Sequence, residues 1–230
     1  MIAEPQRAGA DARPSLDGPT DAVSGTVAPT LFGAVFCGGE SRRMGRDKAR
    51  IELRGRSLLQ RAIDSLSPAC ASVWLACGPE SRYDELDLER VLDVTPDGGP
   101  LAGLAAVLAR AERERTAPGQ EAAVAVIACD MPRATTDVYR LLHAELARSG
   151  ADAALLETSE GLEPLCAVYR TSALAAVQRA LGRGDRRLIS FHDELRVARI
   201  RADELPEALR GADMTRNLNT PEDLSEELGA

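Results

Sequence analysis

Aromatic side chains make up 3% of the 230 residues, which leaves few flat platforms on which single-stranded bases could stack. Basic charge is also in deficit. The formal net charge is −8, so a nucleic acid would have to be held against repulsion from the protein as a whole. These two shortages exclude nucleic acid as a partner, while a small anionic ligand in a locally basic pocket stays allowed. Histidine occurs twice, at His143 and His192, far apart and without a cysteine ligand pattern nearby, which argues against zinc. No apolar stretch approaches the roughly 18 residues of a membrane span, and the first residues lack the basic and apolar regions of a signal peptide. The expectation is a cytoplasmic protein with no membrane contact. Five cysteines (Cys37, Cys70, Cys77, Cys129 and Cys166) form no C-x-x-C pair, and four lie in or at the ends of apolar runs. They are expected to serve as small buried hydrophobes in a reducing compartment.

Large apolar side chains are almost missing from the first thirty residues, which cannot offset the entropy of ordering. Residues 1–30 are therefore expected to be a disordered arm, and 31–228 a single domain. Over the whole chain 44% of residues are hydrophobic, enough for one well-buried core. The run LFGAVFC from Leu31 ends abruptly at Gly38-Gly39, as a buried strand would. Further short apolar runs, SVWLAC, RVLDV, AVAVIAC and ADAALLE, alternate with helical periodicity at about 57–67, 101–114, 136–149, 172–181 and 221–227. In the second helix Leu101, Leu104, Ala105 and Leu108 form one stripe. Alternation of this kind predicts an α/β fold: a three-layer, Rossmann-like, mostly parallel sheet with helices on both faces. Ligands of such sheets bind beyond the carboxyl ends of the strands, which says where to search.

Directly after the first strand comes Cys37-Gly38-Gly39-Glu40-Ser41-Arg42-Arg43-Met44-Gly45-Arg46-Asp47-Lys48. Glycines let the backbone turn and approach a ligand, and successive N–H groups can form an anion-binding nest. The segment matches neither the Walker pattern nor G-x-G-x-x-G, so it is either a different phosphate loop or a wet surface loop. At Ala128-Cys129-Asp130-Met131-Pro132 an apolar run ends in a carboxylate. Asp130 can hold magnesium, an ion that takes one or two carboxylates together with phosphate oxygens and waters, or it can cap the following turn. Asp93, ending RVLDV, can contact a ribose or metal-bound water or simply end its strand. Gly99-Pro100-Leu101-Ala102-Gly103 reads as a helix start with room for close backbone packing. Gly182-Arg183-Gly184-Asp185-Arg186-Arg187 is a basic turn. Thr220-Pro221-Glu222-Asp223 is a near capping box, preceded by Asn217 and Asn219 on one extended face.

Taken in order, GGESRRMGRDK, GGPLAG, CDMP, EPLCAVY, GDRR and NLNTPEDL resemble the MobA-like nucleotidyltransferases, the molybdenum cofactor guanylyltransferases among them, over about Leu31 to Leu228. The resemblance implies the fold of nucleotide-diphospho-sugar transferases. It implies an enzyme that uses Mg2+ to transfer GMP from GTP to the terminal phosphate of molybdenum-bearing molybdopterin, releasing pyrophosphate. It also implies contacts with molybdenum cofactor synthesis or acceptor proteins. Carried over by position, Phe36, Cys37, Gly38 and Gly39 form the nucleotide loop, with Arg43 and Lys48 on the phosphates. Asp93 belongs to the nucleotide site, Asp130 binds magnesium, and Asn217 and Asn219 stand beside metal and phosphates. Arg186 and Arg187 face the molybdopterin side. Lys48, Arg43 and Asp130 are the expected catalytic set, and Lys48, lying in a loop, is expected to be exposed. Two departures stand out: Phe36-Cys37 replaces the usual Leu-Ala, and Ala76 replaces an asparagine after the second strand. Ala76 leaves open a related transferase using CTP or another phosphorylated acceptor. A non-catalytic nucleotide-binding module is the reading from outside the enzyme class. A sugar-nucleotide glycosyltransferase is disfavoured, because Ala128 breaks the Asp-x-Asp expected at its metal.

Overall fold

A computed structural model describes residues 28–38, 47–93, 95, 97–115, 120–210 and 213–229. The proposed arm thus falls outside the described residues as far as residue 27. In chain order the main elements are β1 (Thr30–Phe36), β2 (Glu52–Leu53), β3 (Arg56–Ser57), α1 (Leu58–Leu66), β4 (Val73–Gly78), β5 (Arg90–Leu92) and α2 (Gly99–Arg113). They continue with β6 (Ala122–Ala128), α3 (Thr136–Ser149), β7 (Ala153–Thr158), β8 (Gly161–Arg170), α4 (Leu174–Gly182), β9 (Val197–Arg201) and α5 (Pro221–Gly229).

Seven strands form one sheet in the order β5-β4-β1-β6-β8-β7-β9, and β2 with β3 makes a small separate hairpin. β1 lies between β4 and β6 and is parallel to both, so its end is walled by two strand ends pointing the same way. β8 runs antiparallel to β6 and β7, while β7 pairs parallel with β9. The sheet is therefore mostly parallel. Its strands read as continuous apolar runs because both faces are covered. In β6, Ala123, Ala125 and Ile127 pack in one core layer with Leu59, Ile63, Leu66, Val138, Leu142 and Leu146 of α1 and α3. The intervening Ala122, Val124 and Val126 pack in the other with Leu101, Leu104, Leu108 and Val177 of α2 and α4. This is the period-two alternation of a strand.

Local chemistry sets the element ends. Ser57 caps α1, its hydroxyl accepting from the Gln60 amide at 3.1 Å. Gly150 ends α3 in the left-handed region at φ 63°. Thr220 and Asp223 complete the capping box: the Asp223 carboxylate accepts from the Thr220 amide at 2.8 Å and the Thr220 hydroxyl accepts from the Asp223 amide at 3.1 Å. α5 then packs Leu224 with Leu218, Ile51, Leu53 and Leu58, which fastens α5 beside the β2–β3 hairpin and the start of α1.

Candidate active site

The carboxyl ends of β1, β4 and β6 open into a cavity of about 880 Å3. Phe36, Cys37, Gly38, Lys48, Asp93, Asp130, Asn217 and Asn219 all line it. The backbone explains why they meet. The Cys37 and Gly38 amides both donate to the Ala76 carbonyl of β4, at 3.1 and 3.2 Å. A Cβ on Gly38 would stand 2.7 Å from the Cys77 backbone, so this position needs glycine for close approach. Gly103 plays a similar part in α2, where a Cβ would come within 3.0 Å of the Phe36 ring.

Lys48 leads a short 3-10 turn (Lys48–Arg50) capped by Asp47, whose carboxylate accepts from the Ala49 amide at 3.1 Å. The Lys48 ammonium donates to Asp130 Oδ2 at 2.6 Å and to Asn219 Oδ1 at 2.9 Å. The expectation that Lys48 is exposed is overturned: its side chain is 14% exposed, because the ion pair folds it into the cavity wall. Asp130 follows β6 in a turn held by Cys129 N–H to the Phe36 carbonyl (3.0 Å), and its own carbonyl accepts from Leu218 N–H (3.0 Å). That last bond, with Leu218 buried, sets Asn217 and Asn219 to either side of it along the wall.

Asp130 Oδ1 is buried and has no hydrogen-bond partner among the described residues. A buried carboxylate oxygen in that state calls for a cation or donor from outside the chain. Among the described residues no group of three or more His, Cys, Asp or Glu could hold a metal. A single carboxylate in the wall of a roomy cavity suits magnesium, which takes most of its ligands from phosphates and water. Asp93, placed as its amide donates to the Gly78 carbonyl at 3.2 Å, has its carboxyl pushed above the usual aspartate range by partial burial.

Other expected site residues fare differently. Gly39 and Arg43 lie outside the described residues. Arg186 and Arg187 are exposed and do not line the cavity, although the Arg186 carbonyl would lie 3.7 Å from a Cβ on Gly99, which does. The cysteines largely meet expectation: four are buried and Cys70 is partly buried. Cys37 and Cys77 touch, sulfur to sulfur, at 3.5 Å, and this contact together with burial pushes the Cys37 thiol up, so it stays protonated.

Glu163, Pro164 and Leu165 open the EPLCAVY motif, to which the sequence assigned no place in the site, and they line the same cavity. They sit where β8 departs from its partners: Leu155 of β7 pairs with Ala167, but Leu156 pairs with Glu163. Proline inside a strand is the signal for such a bulge. The Tyr169 hydroxyl lies 3.1 Å from the Pro164 carbonyl and 3.2 Å from His192 Nε2. A carbonyl can only accept, so Tyr169 donates to Pro164 and His192 must be the Nε2–H tautomer. That leaves His192 Nδ1 buried and unpartnered, and burial pushes the imidazole down to about 4. A second overlooked signal is that Lys48 is the only lysine in a chain with 28 lysines and arginines.

Residues 33–197 match the MobA-like NTP transferase domain. The chain belongs to that family. As a member it is a nucleotidyltransferase. It is 40% identical over 202 residues to a protein of Opitutus terrae named "Probable molybdenum cofactor guanylyltransferase", covering 87% of this chain and 96% of that one. A protein of the same name from Carboxydothermus hydrogenoformans is 30% identical over 190 residues, covering 83% and 91%. Among solved structures, the molybdopterin-guanine dinucleotide biosynthesis protein A of Archaeoglobus fulgidus superposes with a TM-score of 0.70 at 26% identity, covering 86% of this chain and 97% of that one. The 4-diphosphocytidyl-2C-methyl-D-erythritol synthase of Anaerococcus prevotii, at 14% identity and a TM-score of 0.60, shares the fold. Among the described residues no helix is long and apolar enough to cross a membrane.

Proposed function

We propose that this MobA-like enzyme transfers GMP from GTP to the terminal phosphate of molybdenum-bearing molybdopterin, giving the guanine dinucleotide cofactor and pyrophosphate. The observation that carries the reading is the meeting of Lys48, Asp130 and Asn219 on one wall, joined at 2.6 and 2.9 Å, in the cavity that Cys37 and Gly38 line at the exit of β1. The relatives' names point to the same substrates.

In the transfer, an acceptor phosphate oxygen forms a bond to the α-phosphorus and the bond to the bridging oxygen of pyrophosphate breaks. A phosphate monoester is already largely deprotonated near neutral pH, so no protein nucleophile is required. Asp130 Oδ1 would hold magnesium, which when bound neutralises phosphate charge and organises the leaving group. Lys48 places a point charge on the phosphates, and the glycine turn, with Cys37 and Gly38, brings backbone close to them. Gly39 and Arg43 are assigned to the same loop. Positioning two reactants contributes roughly 7 to 11 kcal/mol of barrier lowering, and each donor or cation aimed at developing charge about 2.7 to 4. The turn alone could not suffice. Asp93 is assigned to the nucleoside end, Asn217 to the metal and phosphates with Asn219, and Arg186 and Arg187 to the acceptor. All of these come from residues 31–228, which we read as one domain. We place the activity in the cytoplasm, where five free thiols stay reduced.

The test mixes the protein with GTP, Mg2+ and molybdenum-bearing molybdopterin and follows pyrophosphate. Release that needs all three supports the reading, and its absence sinks it. Ala76 lines the cavity where the family's asparagine is expected, so the same assay run with each of the four nucleoside triphosphates asks which base is used.

A further inference from the structure

Asp47 lines the cavity, and a bare carboxylate there would repel a triphosphate. Both its oxygens are taken. Oδ1 accepts from the Ala49 amide at 3.1 Å and lies 3.0 Å from the Tyr83 hydroxyl, while Oδ2 accepts from the Arg82 guanidinium at 2.9 Å. The same Tyr83 hydroxyl also lies 3.3 Å from the Cys37 carbonyl. One phenol thus spans two acceptors that flank, in sequence, the glycine- and arginine-rich stretch 38–46.

Tyr83 itself is 3% exposed and does not line the cavity. Its backbone is in the left-handed region, at φ 63°, which is uncommon for a bulky residue and persists only where the surroundings enforce it. Arg90 is the enforcement. Its guanidinium donates to the Tyr83 carbonyl at 2.6 Å, to Leu88 at 2.8 Å and to Leu86 at 3.0 Å, which folds residues 83–88 around one cation. The guanidinium carbons of Arg82 and Arg50 lie 5.1 and 5.3 Å from the Tyr83 ring centroid. Burial and the neighbouring Asp47 charge push the phenol above its ordinary range, so it remains a donor.

We propose that Tyr83, with Arg82, is a positioning residue: it ties the exit of β1 to the Asp47 cap of the turn bearing Lys48, and so sets the lysine against Asp130 without touching substrate. Its catalytic consequence rests on the transfer reading above, whereas its geometric consequence does not. Arg82 and Tyr83 also engage the Asp47 carboxylate, while Lys48 donates to Asp130 and Asn219.

The experiment uses Tyr83→Phe, which keeps the ring and removes the hydroxyl, and Arg82→Gln as a second variant at a partly exposed position. Because Lys48 is the only lysine, limited acetic anhydride labelling followed by mass spectrometry reads its amine directly, apart from the chain's α-amine. Labelling of Lys48 should be several-fold faster in both variants than in wild type, with melting temperatures close to wild type. In the pyrophosphate assay kcat should fall about tenfold while the KM for molybdopterin is unchanged. In an Asp47→Ala background, Tyr83→Phe should produce no further change in labelling. Wild-type labelling rates in both single variants would overturn the proposal whatever the transfer assay shows. So would a tyrosine effect that persists undiminished without Asp47. Inactive wild-type protein whose Lys48 labelling still responds would instead overturn the transfer reading alone.

Discussion

Lys48 and Asp130, separated by 82 positions in the sequence, meet at 2.6 Å with both side chains less than a fifth exposed. An ion pair held this far from solvent is screened little, and removing one member leaves the other poorly compensated. Lys48→Gln and Asp130→Asn should therefore each lower stability. A double-mutant cycle read by chemical denaturation should give a coupling energy of about 0.5 to 3 kcal/mol. Strict additivity would mean that the pair does not form in solution.

Asp130→Asn keeps the side-chain shape and loses the charge that suits a divalent cation. Turnover should fall by about 10² to 10³, a loss of the size seen when one charge-stabilising group is removed. Pyrophosphate release measured across a magnesium titration checks this. Near wild-type turnover would remove Asp130 from the mechanism.

Gly38→Ala would place a methyl group 2.7 Å from the Cys77 backbone, and backbone cannot step aside as a flexible side chain can. The strands must part or the turn must shift, at a cost of about 1 to 3 kcal/mol. Thermal unfolding should register that loss, and the KM for GTP should rise with it.

Arg186→Ala and Arg187→Ala should raise the KM for molybdopterin and leave GTP binding unchanged, since neither side chain lines the cavity. Both are exposed, so little stability is at stake. Weakened GTP binding in a direct titration would place them in the nucleotide site instead.

Burial first, and then the charges of Glu160 and Asp213, push the Glu163 carboxyl above the ordinary glutamate value of 4.5. Below that value both folded and unfolded chains hold the proton and nothing is lost. As pH rises the unfolded chain releases its proton first, so stability declines until the folded value is passed. Glu163→Gln should therefore raise the melting temperature at neutral pH, and the gain should vanish below about pH 4. A gain that is constant with pH would point to packing.

Much of the fold was legible because fully buried parallel strands and amphipathic helices carry strong local patterns. β1 and β6, and helices α2 and α3, lie within two residues of their expected bounds. β8 was missed as a strand because Glu163 and Pro164 interrupt its apolar run at the bulge. β9 was missed because it alternates Val197, Ala198, Arg199, Ile200 and Arg201, an edge pattern too short to distinguish from a loop. At the site, residue types suggested Lys48 and Asp130 separately. Their contact was not legible, since it depends on β1 and β6, far apart in the sequence, lying side by side. The same non-local pairing is why the assumption of an exposed Lys48 failed, and why Tyr83, an unremarkable residue in its own segment, escaped notice.

The bond from the Leu218 amide to the Asp130 carbonyl has a consequence for synthesis on the ribosome. The glycine turn, Lys48 and Asp130 are translated well before Asn217 and Asn219, which follow Asp130 by roughly ninety residues, on the order of ten seconds at cellular elongation rates. Until those two asparagines emerge, the wall they supply is open. Chains released before that point therefore carry Lys48 and Asp130 without the asparagines beside them.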